Sequence, residues 1–157
     1  MESNSEYFRA GVAAVVVSPQ GLVLAFQRSK GSASEWQMPQ GGLLAGEEPV
    51  QAVFREVVEE TSIPVARLEL VDEIEEWLGY ELPVPYRSAK TERGQVQKWF
   101  LLRFSGTAED VHPDGSEFSA WQWMTAAQLL SVAIPFRRAV YQRVFDRFSA
   151  YLAEALR

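Results

Sequence analysis

Residues 41–63 read GGLLAGEEPVQAVFREVVEETSI, where one arginine and a set of glutamates recur at intervals that suit a divalent-cation site. Glu47 and Glu48 precede Pro49, a residue suited to a first helical turn, and Val53 and Val57 follow one turn apart, so the spacing predicts a helix from Glu47 onward. On that helix Glu56, Glu59 and Glu60 stand at i, i+3 and i+4 and share one face. Such like charges repel by a few tenths of a kcal/mol per pair, roughly, unless a counter-ion relieves them. The stripe is either a solvated acidic face or an oxygen-ligand site for a hard cation. Its surroundings favour the cation: Gly41, Gly42 and Gly46 form a loop whose backbone can approach a ligand, and Arg55 can fix a carboxylate's rotamer.

Composition limits the alternatives. A chain of 157 residues, 47% hydrophobic, can bury a core but does not divide comfortably, so a single domain over 1–157 is expected. There is no cysteine and His112 is the lone histidine, which excludes a thiolate or multi-histidine zinc centre. A metal held by oxygen alone points to Mg²⁺, with Mn²⁺ as its substitute. No apolar run is long enough to cross a membrane, and the start MESNSEYFR lacks a secretory apolar stretch, so a cytoplasmic monomer with no membrane partner is expected. The net charge of −6 argues against a generic nucleic-acid coat. Basic residues nonetheless gather at Arg28 and Lys30, and again at Arg137, Arg138, Arg143 and Arg147, the latter group equally readable as the solvated side of a helix.

Valine-rich residues 11–18, a turn at Pro19-Gln20-Gly21 and apolar residues 22–26 predict a hairpin or tight strand connection. Residues 68–82 read as one strand closed by Pro83-Val84-Pro85, and the polar residues 85–95 as a mobile loop. Residues 97–104 and 118–124 read as further strands, the latter with Trp121 and Trp123 on one side. From Arg137, Val140, Val144, Phe148 and Leu152 recur every fourth residue and predict an amphipathic helix. Strands on both sides of a central helix, closed by a terminal helix, suit an α/β sandwich with a mixed sheet.

The segment resembles the signature of the Nudix hydrolases. Gly41, Glu47, Arg55, Glu56, Val57, Glu59, Glu60 and Ile63 match that pattern, and Ser62 stands where the family has glycine. The resemblance implies an α/β/α sandwich carrying a loop-helix-loop, and a Mg²⁺-dependent enzyme hydrolysing a nucleoside-linked polyphosphate at phosphorus. It implies Glu56 and Glu60 as principal metal ligands and Glu59 as a further ligand or an aid to the attacking water. The carbonyl of Gly41 would face the metal and Arg55 would orient the glutamates, while the identity of the general base stays open. The departure at Ser62 bears on the turn after the helix more than on the chemistry.

Outside the signature, Trp36-Gln37-Met38-Pro39-Gln40-Gly41-Gly42, Trp77-Leu78 with Tyr80 and Leu82-Pro83, and Gln95 with Gln97-Lys98-Trp99-Phe100 resemble the branch of asymmetrical diadenosine tetraphosphate hydrolases and bacterial RNA pyrophosphohydrolases. Tyr80 occupies the place of a tyrosine that accompanies dinucleoside polyphosphate activity there. Glu117-Phe118 with Trp121 and Trp123 resembles a segment whose glutamate adds a metal ligand, so Glu117 is a ligand or the general base, against the plainer reading of a surface acid. Phe136-Arg137-Arg138 resembles a segment whose aromatic stacks on a base and whose cation touches phosphate. A flat base with an anionic tail needs a platform, which Phe136 and Tyr80 can supply, and cations, which Arg9, Arg28, Lys98 and Arg137 can supply. Each aromatic is equally readable as core, and Trp36, Trp99, Trp121 and Trp123 are read mainly so. The expected substrate is a dinucleoside polyphosphate such as diadenosine tetraphosphate, split to ATP and AMP; the alternative is the 5′-triphosphate end of RNA, losing pyrophosphate. A non-catalytic nucleotide sensor would be expected to lack a metal glutamate, and here all are present. A general nucleoside triphosphate sanitiser is disfavoured because residues 77–100 resemble a different branch.

Overall fold

A computed structural model of the chain describes residues 6–29, 35–115 and 118–153. Its elements run β1 (Phe8–Val17), β2 (Val23–Arg28), β3 (Trp36–Gln37), β4 (Gln40–Gly42), α1 (Pro49–Thr61), β5 (Leu68–Glu73), β6 (Leu78–Glu81), β7 (Gly94–Phe104), β8 (Phe118–Met124), α2 (Ala126–Val132) and α3 (Pro135–Arg147). The strands form one mixed sheet with the path β3-β2-β1-β7-β5; β4 pairs with β1, β6 with β7, and β8 with β2. At its centre β1 runs parallel to β7, in register from Phe8↔Gly94 to Val17↔Arg103.

The valine-rich run forms a strand that is buried on both faces. Val12, Ala14 and Val16 join Val53 and Val57 of α1 in one core cluster, while Ala13, Val15 and Val17 join Val140 and Val144 of α3 in the other. Coverage on both sides explains why the strand reads as a continuous apolar run instead of an alternating one. Helix, sheet and helix thus stack as the α/β/α sandwich expected from the sequence.

Several expectations need correction. β1 and β2 do not form a full hairpin: they pair only at Val17↔Val23, because β2 gives its edges to β8 and β3, and β1 gives the corresponding edge to β4. Residues 68–82 are two strands. A bulge between Leu70 and Asp72 and the connection at 74–77 let β5 pair with one end of β7 and β6 with the other. Residues 85–95 are more ordered than a featureless loop. A 3₁₀ turn spans Val84–Tyr86, Ser88 and Thr91 hydrogen-bond across a tight turn, and Gly94 and Gln95 already belong to β7. The terminal helix starts at Pro135, whose fixed φ suits its first turn, and ends at Arg147, so Leu152 lies beyond it. Short α2, capped by Thr125 accepting from the Gln128 amide at 3.1 Å, carried too few residues to show a period. Ser62 takes the left-handed conformation, φ 61°, that the family's glycine would adopt more easily, and its hydroxyl donates to the His112 carbonyl at 2.9 Å.

Candidate active site

The connection from β4 into α1 is organised by Arg55. Its Nε and Nη2 grip both oxygens of Glu47 at 2.8 and 2.9 Å, Nη2 also donates to the Gly42 carbonyl at 2.9 Å, and Nη1 donates to Glu56 at 2.8 Å. Glu47 in turn accepts from the Leu44 amide at 3.0 Å, which closes the loop on itself. The planar guanidinium therefore fixes loop, helix and the Glu56 rotamer at once, a task that needs its fork of donors. These hydrogen bonds leave their mark on ionisation: Arg55, bonded first by Glu47 and then Glu56 and Glu59, is held protonated more firmly than usual, and Glu47 is held below the ordinary carboxylate range by the Arg55 bond.

Beside this loop opens a cavity of about 360 Å³, with Glu56 and Glu60 on one side and Arg9, Arg28 and Arg137 on its basic side. Gly41 lies against the Glu56 carboxylate, and a Cβ there would overlap it. Gly11, which pairs with Gly42 across the β1–β4 ladder, lets the Gly41 carbonyl lie close to β1: a Cβ on Gly11 would come within 2.6 Å of that oxygen. Gly42 likewise makes room for the Arg9 guanidinium. A second cavity of about 390 Å³ carries Tyr86 and Phe136, and the two share Arg28, Thr91, Gln95 and Arg137. They are two lobes of one cleft, the first charged and the second aromatic.

Two cations at the junction are tied to one acceptor. Arg28 and Arg137 both donate to Gln37 Oε1, at 3.2 and 2.8 Å. Arg137 is 9% exposed and lies under the Phe136 ring, 5.3 Å from its centroid. Burial works against its charge, but Tyr141 and Tyr80 nearby more than offset that and its pKa lies above the ordinary arginine value. Tyr141 itself, fully enclosed, is pushed up to about 12 by burial, and its oxygen accepts the Met38 amide at 3.1 Å.

The structure brings Glu56, Glu60, Gly41, Arg9, Arg28, Arg137 and Phe136 to the cleft, with Arg55 behind the glutamates. Three expected residues sit elsewhere. Glu59 points outward beside Arg55 with 57% of its side chain exposed and does not line the cavity. Lys98 falls on the α1 face of β7, where it bonds the Glu75 carbonyl at 3.1 Å and pairs with Glu73; strand alternation carries it away from the cleft. Tyr80 is only 9% exposed and stacks behind Phe136 at 5.9 Å, so it supports the platform and offers a base no face of its own. Glu117 and Lys30 lie outside the described residues. Sequence reasoning missed Gly11, Tyr86, Lys90 and Thr91, none of which stands at a telling interval; Gln37, Gln40 and Gln95 fall within the phrases that resemble the family branch, but nothing in the sequence assigns them a role.

Among the described residues no three carboxylate or histidine side chains form a ready cage for a metal. The donors lining the cavity are two carboxylates, Glu56 and Glu60, with the Gly41 backbone against Glu56. That set fits Mg²⁺, which keeps much of its water and takes few carboxylates, with the phosphates of a substrate completing its shell.

Residues 7–147 match the NUDIX domain family model. The chain belongs to the Nudix family. An RNA pyrophosphohydrolase of Cereibacter sphaeroides is 42% identical over 151 residues, covering 93% of each chain, and one of Roseobacter denitrificans is 43% identical over 150 residues, covering 92% of this chain and 94% of its own. Among solved structures, an Ap4A hydrolase of C. elegans superposes with a TM-score of 0.64 at 21% identity, covering 89% of this chain and 98% of its own. The E. coli dihydroneopterin triphosphate pyrophosphohydrolase does so with 0.69 at 23%, covering 90% and 99%. These structures show the shared fold. This Nudix protein is a hydrolase of phosphoanhydride bonds. No helix among the described residues is long and apolar enough to cross a membrane.

Proposed function

We propose that this Nudix hydrolase is an RNA pyrophosphohydrolase, removing pyrophosphate from 5′-triphosphorylated RNA in the cytoplasm with Mg²⁺ as its cofactor. This reverses the order of the two substrates expected from the sequence. The observation that carries it is the likeness, above 40% identity and along nearly the whole chain, to proteins named for that activity. The two-lobed cleft fits the same reading: a triphosphate lies in the charged lobe, the base of an adjoining nucleotide rests on Phe136, and the rest of the chain leaves through the open side.

When bound, Mg²⁺ would neutralise phosphate charge and acidify a water for attack at phosphorus. The residues of the chain do the rest. Glu56 and Glu60 would hold the cation, Arg55 holds Glu56, and Arg9, Arg28 and Arg137 would draw charge from the non-reacting phosphates. The test is turnover in Mg²⁺ of a short 5′-triphosphorylated RNA beside diadenosine tetraphosphate at matched concentration, resolving all products. Faster conversion of the RNA to its 5′-monophosphate with pyrophosphate released supports the reading. Faster release of ATP and AMP from the dinucleotide overturns it.

A further inference from the structure

The floor between the two lobes is a ladder of side-chain amides. Gln97, 1% exposed, donates through Nε2 to Gln40 Oε1 at 3.0 Å and to Gln95 Oε1 at 3.2 Å. Gln95 Oε1 also accepts from the Tyr80 hydroxyl at 3.0 Å. The only polar atom of the Gln97 side chain without a hydrogen-bond partner is Oε1. Turning that amide over would strand two buried N–H groups in place of one carbonyl oxygen, the costlier arrangement. The ladder therefore has one preferred sense. Gln40 and Gln95 keep their oxygens toward Gln97, which leaves their amino groups outside the ladder, and both residues line the cleft.

Gln95 lines both lobes, including the chamber that holds Phe136. The same chamber contains Glu35, the only carboxylate lining it among the described residues. Beside Arg28 and Arg137, the chamber around Phe136 is therefore lined by one side chain with a pair of N–H donors, Gln95, and one with a pair of acceptor oxygens, Glu35. Guanine is the base with two adjacent acceptors, O6 and N7, and two adjacent donors, N1–H and the 2-amino group. Adenine sets a donor beside an acceptor at N6 and N7, cytosine has two adjacent acceptors, N3 and O2, but a single donor group at N4, and uracil alternates acceptor, donor, acceptor, so none of the three combines two adjacent acceptors with two adjacent donors. We propose that Gln95 and Glu35 are specificity-determining residues that select guanine in the aromatic lobe, with Gln97 and Tyr80 positioning the Gln95 amide. This rests on the reading of the cleft as the seat of an RNA 5′ end.

The test is kcat/KM for short 5′-triphosphorylated RNAs carrying each of the four bases at the first and, separately, the second nucleotide. Guanine at one of those positions is expected to be preferred over adenine by about tenfold, as one good bidentate base contact allows. Gln95→Glu, which keeps the shape but replaces donor by acceptor, and Glu35→Gln should each flatten that ratio, and Tyr80→Phe should weaken it by freeing the amide. A ratio between bases measured within one variant does not depend on how much of that variant folds. Equal turnover of all bases at both positions, or a guanine preference unchanged in both the Gln95 and the Glu35 variants, overturns the inference. If no RNA is turned over, the RNA reading has failed and not this one; calorimetric binding of GDP against ADP, in wild type and Gln95→Glu, then decides it in the same terms.

Discussion

At the scale of single residues, two positions show sequence and geometry in competition. Ser62 ends α1 in the left-handed region and recovers part of that strain through its bond to the His112 carbonyl. Ser62→Ala keeps the strain and loses the bond, so it should lower the unfolding free energy by about 1 kcal/mol, whereas Ser62→Gly should be more stable than the alanine variant by about 1 kcal/mol. Urea unfolding of the three proteins measures both differences. Tyr141 is the second case. Unfolded tyrosine ionises near pH 10, but in the folded chain burial raises the group to about 12. Its raised value means the contribution is whole below pH 10 and is lost as pH rises from there through about 12. Tyr141→Phe should flatten that alkaline fall in stability. At neutral pH it should cost about 1–3 kcal/mol, because the buried Met38 amide loses its acceptor.

At the scale of elements, the loop and helix around Arg55 act as one part. Arg55→Lys keeps the charge but cannot span Glu47, the Gly42 carbonyl and Glu56 together. It should weaken Mn²⁺ binding and lower turnover by about 10–100-fold with little change in melting temperature, read by calorimetry and circular dichroism. This part was legible in the sequence because its chemistry and its helical period coincide on one contiguous stretch, down to Glu56 and Glu60 facing the same side. Other elements were not. Lys98 and Gln97 are neighbours on β7, and only the register with β1 decides which of them meets the cleft and which meets α1. Tyr80 stands at the place of the family's tyrosine, but the sequence does not say that Phe136 will cover it. Glutamines carry no spacing signal, so the ladder of Gln40, Gln95 and Gln97 and the shared acceptor Gln37 emerge only when distant segments meet.

At the scale of the whole molecule, a net charge of −6 coexists with a cleft lined by arginines. Local field and overall charge are separate properties, and the former steers the substrate. Raising ionic strength should therefore raise KM for a triphosphorylated RNA. Arg28→Ala should raise KM at low salt and flatten that dependence, whereas Lys98→Ala, on the opposite face, should leave kcat and KM within about twofold of wild type. Lys98 is the control because both residues lose one positive charge, so any difference between the variants reports position.

In the proposed reading the cleft divides its work, with chemistry at the carboxylates of the charged lobe and base recognition on Phe136 in the other. Steady-state kinetics of Glu60→Gln and Phe136→Ala on one 5′-triphosphorylated RNA tests it directly. Glu60→Gln should lower kcat by about a hundredfold or more. Phe136→Ala should raise KM by about tenfold, the worth of one stacked base, and leave kcat within a few-fold of wild type, roughly. Wild-type turnover by Glu60→Gln, or a loss of kcat in Phe136→Ala as deep as that in Glu60→Gln, would contradict the division.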